Sequence, residues 1–371
     1  MWCRITPMHD RGEPKRILLM MLLPIGDTLF TTPSLSALRR HYPGAEITAV
    51  VYPTNKGILS NNPDIDRFLL WPTRHQWPGL AGVLKLFWGL RRARFDLAVE
   101  FSNYNWWVSW LSGIRRRTEM NLPRFWWGLP WAGTEWRKHH AVEHYTGPVS
   151  RLGVTVDDLA LRIFPSEREK EKALSWLDRY RVGPDELLVG IHPGGEGLWG
   201  RKRWSVARFA EVADGLSART GARIVIMGGK DDAQAAAEIA SRTKASIINA
   251  TGQTTLGETA ALVRHCALFI GNDSSPLHIA AASGTPVVGI YGPTDPGSYR
   301  PWIPGGKEGV DYAVVRSNLP CACKFPLVGG TTIAGFFTCL SCPALETIAP
   351  QQVLEAALRL LKQGFKDHGD A

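Results

Sequence analysis

Short apolar runs alternate with longer segments of mixed polarity along most of the chain. Residues 16–22, Arg-Ile-Leu-Leu-Met-Met-Leu, are apolar at all but the first position, as is typical of a strand buried on both faces of a parallel sheet. Residues 32–41 follow, where Thr32 is suited to a helix cap and Pro33 to the first helical position. This order of strand, helix and strand predicts a parallel sheet with right-handed crossovers.

The same alternation predicts two similar halves separated by a break at residues 165–184. Further strands are predicted at 47–52, 68–71 and 96–101, and then at 187–192, 223–228, 246–249, 268–271 and 286–291. We therefore expect an α/β protein with two Rossmann-like domains, residues 1–180 and 181–348, whose parallel sheets face each other across a cleft. Residues 349–371 are predicted to form a helix and tail that pack back on the N-terminal domain. Ligands of open parallel sheets bind at the carboxyl ends of the strands.

The composition is that of a soluble globular protein. Of the 371 residues, 44% are hydrophobic and 21% are charged. The apolar run that ends at Leu23 is stopped by Pro24, and it is far shorter than the roughly 18 residues that a membrane-spanning helix needs. No small-residue cleavage site of a signal peptide follows this run. These features predict a cytoplasmic protein.

The net charge of +9 is concentrated in one segment. Eleven Lys and Arg residues stand against four acidic residues between Arg74 and Lys138, and residues 71–138 are rich in Trp. Because Arg is attracted to anionic surfaces and Trp favours the boundary between water and lipid, this segment predicts contact with an anionic glycolipid and with the inner face of the cytoplasmic membrane. The alternative is a core of Trp surrounded by solvated Arg. Nucleic acid is not an expected partner, because no nucleic-acid-binding module is recognisable.

An acidic residue follows the first predicted strand, in Pro24-Ile-Gly-Asp-Thr28. This position places Asp27 at the carboxyl edge of the sheet. A carboxylate in a partly desolvated cleft can take a proton from a hydroxyl group, so Asp27 is the candidate catalytic base. The alternative is that Asp27 only caps a helix or a turn.

A glycine-rich loop follows the first strand of the second half, in His192-Pro-Gly-Gly195. Gly194 and Gly195 would let backbone N–H groups approach a phosphate closely, and Lys202 or Arg203 would neutralise its charge. The spacing matches neither the P-loop nor the dinucleotide-binding pattern. The alternative is an ordinary turn with exposed basic residues.

The most informative motif is Phe269-Ile-Gly-Asn-Asp-Ser-Ser-Pro-Leu-His278, which continues to Pro286. A strand ends here and a short helix begins, with Ser274 and Ser275 at the positions before Pro276. The start of a helix offers free N–H groups and a partial positive charge to a diphosphate, and Asp273 is placed to accept hydrogen bonds from hydroxyl groups. His278 is a further candidate ligand for phosphates, or else a polar side chain in the core.

Two further strands end in polar residues that we expect near the same ligand. Asp232 follows Gly228-Gly229, a position that suits contact with ribose hydroxyls. Thr294 and Asp295 lie in the turn-rich segment after the last strand. The alternative interpretation of that segment is a rigid connecting turn.

Four cysteines form two close pairs near the C-terminus, Cys321-Ala-Cys323 and Cys339-Leu-Ser-Cys342. Four thiolates can bind zinc, although the first spacing is less typical of metal sites than the second. Free thiols and a redox-labile disulfide are the alternatives, and we predict no metal among the site residues. Cys3 and Cys266 have no evident partner in the sequence.

The motifs above keep the order and spacing of one known family. They are Ile25-Gly-Asp-Thr with Thr32-Pro-Ser-Leu, Pro193-Gly-Gly with Lys202-Arg-Trp, Gly271-Asn-Asp-Ser-Ser-Pro-Leu-His-Ile-Ala, and Gly292-Pro-Thr-Asp-Pro. Taken together, the chain resembles glycosyltransferase family 9, which holds the ADP-heptose:lipopolysaccharide heptosyltransferases. The resemblance is thin between residues 75 and 180.

This resemblance implies a GT-B fold, with the acceptor on the N-terminal domain and the nucleotide sugar on the C-terminal domain. It also implies inversion at the transferred sugar with no cofactor. By motif match, Asp27 corresponds to the proposed base, Lys202 to a phosphate-contacting lysine, Asp273 to an acid that holds the donor sugar, and Asp232 to an acid near the ribose. Paired cysteines are a trait of the family. Ser275 departs from the family pattern, which often has Gly there.

The main hypothesis is therefore an inverting glycosyltransferase that moves a heptose from ADP-heptose to the lipopolysaccharide core or a related envelope glycolipid. Its predicted donor-binding residues are Gly194, Gly195, Lys202, Asp232, Asp273, Ser274, Ser275, His278 and Thr294. Two alternatives stay open, a sugar-nucleotide epimerase of the same fold and a non-catalytic membrane-surface protein that binds nucleotide sugars. The expected location is the cytoplasm, peripheral on the inner membrane.

Overall fold

The computed structural model describes residues 12–71, 79–102, 106–119, 139–195, 202–319 and 343–367. Contacts divide the chain into two compact units. Of the described residues, the first unit contains those up to Leu159 except His139 and His140, and the second contains these two and all those from Ala160 onward. The division therefore falls at residue 160 and not at the predicted boundary of residue 180.

The first unit is built around a five-stranded parallel sheet with the strand order β3-β2-β1-β4-β5. The strands are β1 (Arg16–Met21), β2 (Glu46–Val51), β3 (Arg67–Leu70), β4 (Leu97–Glu100) and β5 (Arg116–Glu119). The helices are α1 (Ile25–Phe30), α2 (Thr32–His41), α3 (Pro53–Leu59), α4 (Gly79–Ala93), α5 (Trp106–Leu111), α6 (Ala141–His144) and α7 (Gly147–Ser150).

Strand β1 lies at the centre of this sheet, and its apolar run is buried from Ile17 to Met21, as the sequence predicts. The segment after it contains helix α1, which the sequence pattern did not predict. The carbonyl of Pro24 accepts hydrogen bonds from both the N–H and the hydroxyl of Thr28, each at 2.9 Å, and the helical turn buries Leu29 and Phe30. Asp27 therefore lies in the first turn of a helix.

The second unit is built around a six-stranded parallel sheet with the strand order β11-β10-β9-β6-β7-β8. The strands are β6 (Leu188–His192), β7 (Arg223–Ile226), β8 (Ile247–Asn249), β9 (Leu268–Asn272), β10 (Val287–Tyr291) and β11 (Tyr312–Arg316). The helices are α8 (Glu167–Arg179), α9 (Val206–Thr220), α10 (Ala233–Arg242), α11 (Leu256–Val263), α12 (Ser275–Ala282), α13 (Pro296–Tyr299), α14 (Pro343–Glu346) and α15 (Pro350–Asp367), with a 3-10 turn at Lys230–Asp232.

Helix α8 belongs to the second unit, which explains why the boundary precedes it. Ser166 and Glu169 form a capping box at its start, and Lys172 forms a 2.6 Å ion pair with Glu258 of α11. Trp176 packs in the same core cluster as residues of α11. The sequence showed a charged helix in a break between domains, but it did not show the partner of that helix.

Helix α15 packs on the second unit, whereas its packing on the N-terminal domain stays a prediction. Its buried side chains in the core of this unit are Val353, Leu354, Ala357, Leu360 and Leu361. Leu354 lies so close to α9 that a Cβ on Gly215 would be 2.6 Å from Leu354 Cδ2. The helical period of these residues predicts the helix, but the small residue that receives Leu354 lies about 140 positions earlier in the chain.

Counted from its own first strand, the first sheet has the strand order 3-2-1-4-5 and the second has 3-2-1-4-5-6, the same order with one more strand at the edge. In such sheets the order reverses beside the first strand, and the carboxyl ends of the strands leave a crevice for ligands at that point. This switch point lies between β1 and β4 in the first unit and between β6 and β9 in the second. Within the described ranges, no helix is long and apolar enough to cross a membrane.

Candidate active site

Asp27 follows the carboxyl end of β1, at the switch point of the first sheet. Its side chain is half-buried, and the backbone around it is held from α3. The amide of Asn55 donates one hydrogen bond to the carbonyl of Leu23 at 2.6 Å and another to the hydroxyl of Thr28 at 2.8 Å. Asp27 thus sits on a short turn whose position is fixed on both sides.

The Asp27 carboxylate is contacted by a tyrosine from a distant part of the chain. The phenol of Tyr145 donates a hydrogen bond to Asp27 Oδ1 at 2.8 Å, and the tyrosine itself is buried. The hydroxyl of Ser34 in turn donates to the carbonyl of Tyr145 at 2.8 Å. The sequence does not predict this contact, because 118 residues separate Tyr145 from Asp27 and no motif links them.

A second carboxylate lies at the same switch point. Glu100 is the last residue of β4 and pairs in register with Met20 of β1. It is buried, and the hydroxyl of Ser109 in α5 donates a hydrogen bond to its carboxylate. The sequence signal for this residue is an acidic side chain at the end of an otherwise apolar strand, and the predicted site did not include it.

In the second unit, Asp273 follows the carboxyl end of β9 and gathers three other predicted site residues. Lys202 Nζ lies 2.7 Å from Asp273 Oδ2, and the Thr294 hydroxyl donates to the same oxygen at 2.6 Å. His278 Nε2 lies 3.5 Å from the other oxygen, Oδ1. Four residues predicted from three separate motifs therefore meet in one cluster.

The Asp273 carboxylate is kept ionised by these neighbours. Burial by itself would raise the pKa of Asp273, but the charge of Lys202 and the hydrogen bond and charge of His278 outweigh it and hold the pKa of this carboxyl well below its ordinary range. An anionic ligand entering here meets Lys202, which is already positioned, whereas hydroxyl groups of a ligand meet a carboxylate that can accept hydrogen bonds at neutral pH.

Asn272 connects the glycine-rich loop to β9. Its amide nitrogen donates to the carbonyls of Pro193 and Gly194, both at 2.9 Å, and its amide oxygen accepts from the N–H of Trp204 at 3.1 Å. One buried side chain thus holds both the glycine-rich loop and Trp204 next to the end of β9. The sequence contains Asn272 within a site motif, but its role as a clamp was missed.

The two serines at the start of α12 differ in their contacts. Ser274 occupies the position before the helix, as predicted, but its hydroxyl donates to the carbonyl of Asn272 at 3.1 Å and makes no cap on the helix. Ser275 is the first helical residue and is half-buried. The hydroxyl of Ser274 is therefore directed to the strand, while the helix begins at Ser275.

Asp232 forms a second cluster with the glycine-rich loop. Its Oδ2 accepts the N–H of Gly229 at 2.9 Å, Arg203 Nη2 lies 3.8 Å from Oδ1, and His192 Nδ1 lies 4.0 Å from Oδ2. A Cβ on Gly194 would be only 2.0 Å from Asp232 Oδ1. Steric contact with the Asp232 carboxylate therefore explains why residue 194 is a glycine.

The other residues of the predicted motifs that the structure describes include Gly195, Asp295 and His192. A Cβ on Gly195 would make ordinary contacts, the nearest at 3.5 Å from Arg203 Cγ. The carboxylate of Asp295 accepts the N–H of Gly297 at 3.0 Å and caps α13. His192 Nδ1 lies 2.9 Å from the carbonyl of Met227, and burial lowers the pKa of this histidine, so it is neutral at pH 7.

The cysteine hypotheses concern residues outside the described part of the chain, since Cys321, Cys323, Cys339 and Cys342 all lie there. Among the described residues, no group of three or more His, Cys, Asp or Glu side chains is placed to hold a metal. Cys266 is buried, and burial raises the pKa of its thiol to about 12, so this cysteine is chemically inert.

Residues 83–324 match the protein-family model described as "Glycosyltransferase family 9 (heptosyltransferase)". A similar curated protein is "Lipopolysaccharide heptosyltransferase 3" of Escherichia coli (strain K12), which is 32% identical over 295 residues. That match covers 75% of this chain and 82% of the relative.

Solved structures with the same fold include the glycosyl transferase family 9 protein from Veillonella parvula DSM 2008. Its TM-score is 0.78 at 24% identity, and the match covers 95% of this chain and 99% of that chain. "E. coli ADP-heptose lps heptosyltransferase II" has a TM-score of 0.70 at 24% identity, with 94% and 99% of the two chains covered. The GT-B class of fold expected from the sequence is confirmed.

Proposed function

The chain belongs to glycosyltransferase family 9 and is a glycosyltransferase, and from this premise we propose that it transfers a heptosyl group from ADP-heptose to the lipopolysaccharide core or a related envelope glycolipid. The names of the similar heptosyltransferases support this sugar, donor and acceptor. The observation that carries the proposal is the buried cluster of Asp273, Lys202, Thr294 and His278 at the switch point of the second sheet.

The second unit binds the nucleotide sugar. Lys202 and the start of α12 oppose the negative charge of the diphosphate, with Gly195, Ser274, Ser275 and His278 around it. In the structure Lys202 is paired with Asp273, so the diphosphate competes for its ammonium group. Asp273 and Thr294 accept and donate hydrogen bonds to sugar hydroxyls, and Asp232 contacts the ribose.

The first unit binds the acceptor and supplies the base. The acceptor hydroxyl gives its proton to the carboxylate of Asp27, and its oxygen forms the new bond to the anomeric carbon of the heptose. The bond from that carbon to the phosphate oxygen breaks with its electron pair, so ADP leaves with an additional negative charge. Lys202 stabilises this charge as it develops. Attack from the face opposite the leaving group inverts the anomeric configuration.

Acceptor-dependent release of nucleotide tests this proposal. The full chain is incubated with ADP-heptose, GDP-mannose or UDP-glucose, each with and without a lipopolysaccharide core that lacks heptose, and released nucleotide is quantified. We expect release of ADP from ADP-heptose only when the acceptor is present. Conversion of a nucleotide sugar to an isomer without acceptor would instead support the epimerase, and the absence of any turnover would support the non-catalytic binder.

A cationic, Trp-bearing surface supports peripheral contact with the inner face of the cytoplasmic membrane. Helices α4 and α5 pack through Phe87 and Trp107, whose ring centroids lie 5.7 Å apart. Their large exposed apolar side chains are Leu84 (48% exposed), Trp88 (60%), Trp110 (54%) and Leu111 (49%). The exposed basic residues of α4 are Lys85, Arg91 and Arg92. This combination fits an anionic lipid surface, where basic residues meet head groups and Trp enters the interface.

Vesicle flotation tests this membrane contact. The wild-type protein is expected to float with vesicles that contain anionic lipid and to float less with neutral vesicles. The double substitution Trp88→Ser and Trp110→Ser should weaken flotation, whereas Leu174→Ser, on an equally exposed residue of α8, should not. Equal flotation of all three proteins, or no flotation of the wild type, would contradict the proposal.

A further inference from the structure

We infer that Tyr145 is a positioning residue for the catalytic base, and that its phenol holds the Asp27 carboxylate in the orientation needed to take the acceptor proton. This inference rests on the proposed function of Asp27. It starts from the 2.8 Å hydrogen bond from the Tyr145 hydroxyl to Asp27 Oδ1.

The tyrosine is itself held in place by neighbouring helices. Its N–H donates to the carbonyl of Ala141 at 3.1 Å, and its carbonyl accepts the Ser34 hydroxyl at 2.8 Å. Ser34 belongs to α2, which follows the helix that carries Asp27. These two hydrogen bonds attach the backbone of Tyr145 to α2 and α6, which limits where its phenol oxygen can lie relative to α1.

A fixed donor matters because a carboxylate can rotate about its last side-chain torsion, which has broad minima. Proton transfer requires the accepting oxygen to be within hydrogen-bond reach of the acceptor hydroxyl. A misplacement of about 1 Å can reduce a rate about a hundredfold. A hydrogen bond to a charged oxygen in a partly buried setting restricts this rotation.

A neutral donor suits this task better than a cation would. A lysine or arginine at the same place would stabilise the ionised carboxylate strongly and so oppose protonation by the acceptor. A phenol restricts the orientation of the carboxylate without adding a full charge. Asp273, whose proposed role requires no proton uptake, lies against Lys202, Thr294 and His278.

Tyr145→Phe removes the hydroxyl and keeps the ring, so it tests the hydrogen bond alone. We expect kcat to fall between about tenfold and about a hundredfold. The KM and dissociation constant for ADP-heptose and the melting temperature should stay near the wild-type values. Tyr42→Phe is the matched control, since Tyr42 is also a buried tyrosine of the first unit, and kcat should be unchanged in it.

A double-mutant cycle separates positioning from a general structural role. If Tyr145 acts through Asp27, Tyr145→Phe should cause no further loss of residual activity in an Asp27→Asn background. An equal loss in both backgrounds, or a fall in melting temperature that parallels the fall in kcat, would overturn the inference.

The possible failures are distinguishable. Wild-type kcat in Tyr145→Phe together with an inactive Asp27→Asn would overturn the inference and leave the base in place, whereas an active Asp27→Asn would overturn the proposed base itself.

If Tyr145→Phe does not fold, Ser34→Ala serves as the second variant. It releases the tyrosine carbonyl, and kcat should then lie below that of the wild type with donor affinity retained. Unchanged kcat in Ser34→Ala would contradict the inference.

Discussion

The two sheets share the strand order 3-2-1-4-5, which a sixth strand extends in the second, yet the acids that follow their switch-point strands have different surroundings. Asp27 is half-buried and accepts a hydrogen bond from a neutral phenol, whereas Asp273 is fully buried and lies against a lysine and a histidine. The charge of Lys202 helps to keep the Asp273 carboxylate ionised. We propose that Asp27 is the base and that Asp273 is a hydrogen-bond acceptor.

The difference arises from the surroundings of the strand ends and not from the strands. Asp27 lies in the first turn of α1, on a segment held by Asn55. Asp273 directly follows β9. Its carboxylate is contacted by the ammonium group of Lys202, which follows the glycine-rich loop, and by the hydroxyl of Thr294, which follows β10. Substitutions at the two acids should therefore have different consequences.

The largest expected effect concerns Asp27. Asp27→Asn keeps the size of the side chain and removes its ability to accept a proton, so kcat should fall by about 10² to 10⁴-fold, the range for general base catalysis. Calorimetric affinity for ADP-heptose should remain near that of the wild type. If the affinity for ADP-heptose fell by the same factor as kcat, Asp27 would act in donor binding as Asp273 does, and the proposed difference between the two acids would be contradicted.

Asp273→Asn should act mainly on stability and donor binding. The substitution leaves Lys202 without its charged partner, and breaking a buried pair costs about 3 kcal/mol. We expect a lower free energy of unfolding in urea and weaker binding of ADP-heptose. Glu238→Gln, which breaks an exposed ion pair with Arg242 on α10, is the control and should have little effect. Wild-type stability and affinity in Asp273→Asn would contradict this account.

The stabilisation by Asp273 should depend on pH in a defined direction. Its pKa is lower in the folded state than the value of about 3.9 in unfolded chains, so its contribution is complete above that value and is lost as the pH falls below it toward the folded pKa. The difference in unfolding free energy between wild type and Asp273→Asn should therefore narrow below about pH 4. Urea titrations at a series of pH values measure this, and a constant difference would show that the carboxylate is not the cause.

A smaller effect is expected in the glycine-rich loop. Gly194→Ala places a Cβ against the Asp232 carboxylate, and such overpacking costs about 1–3 kcal/mol. Gly195→Ala should be close to neutral for stability, because its Cβ has room. Thermal unfolding of the two variants makes the comparison. Equal melting temperatures would mean that the contact with Asp232 does not explain glycine at residue 194.

The sequence predicted most of the fold because local patterns determine it. The apolar run of β1 and the helix that ends before Gly221 both follow from side-chain pattern and helix-stop chemistry, and Gly221 adopts the left-handed conformation with φ of 70°. The apolar face of α15 predicts that the helix is buried, but it does not predict the core of the second unit as its partner. The partner depends on contacts that are remote in sequence.

Part of the candidate site could also be predicted from the sequence. Asp273, Lys202 and Thr294 each follow a strand of one parallel sheet, so their meeting could be expected. The contact of Tyr145 with Asp27 and the clamp formed by Asn272 could not, because each depends on one hydrogen bond between segments that only the folded chain brings together.

The mass of the acceptor after reaction tests the central claim most directly. The full chain is incubated with ADP-heptose and a lipopolysaccharide core that lacks heptose, and the glycolipid is analysed by mass spectrometry. The account predicts an increase by one heptosyl group in the wild-type reaction and an unchanged acceptor in the Asp27→Asn reaction. An unchanged acceptor in the wild-type reaction, or the same product from both proteins, would contradict it.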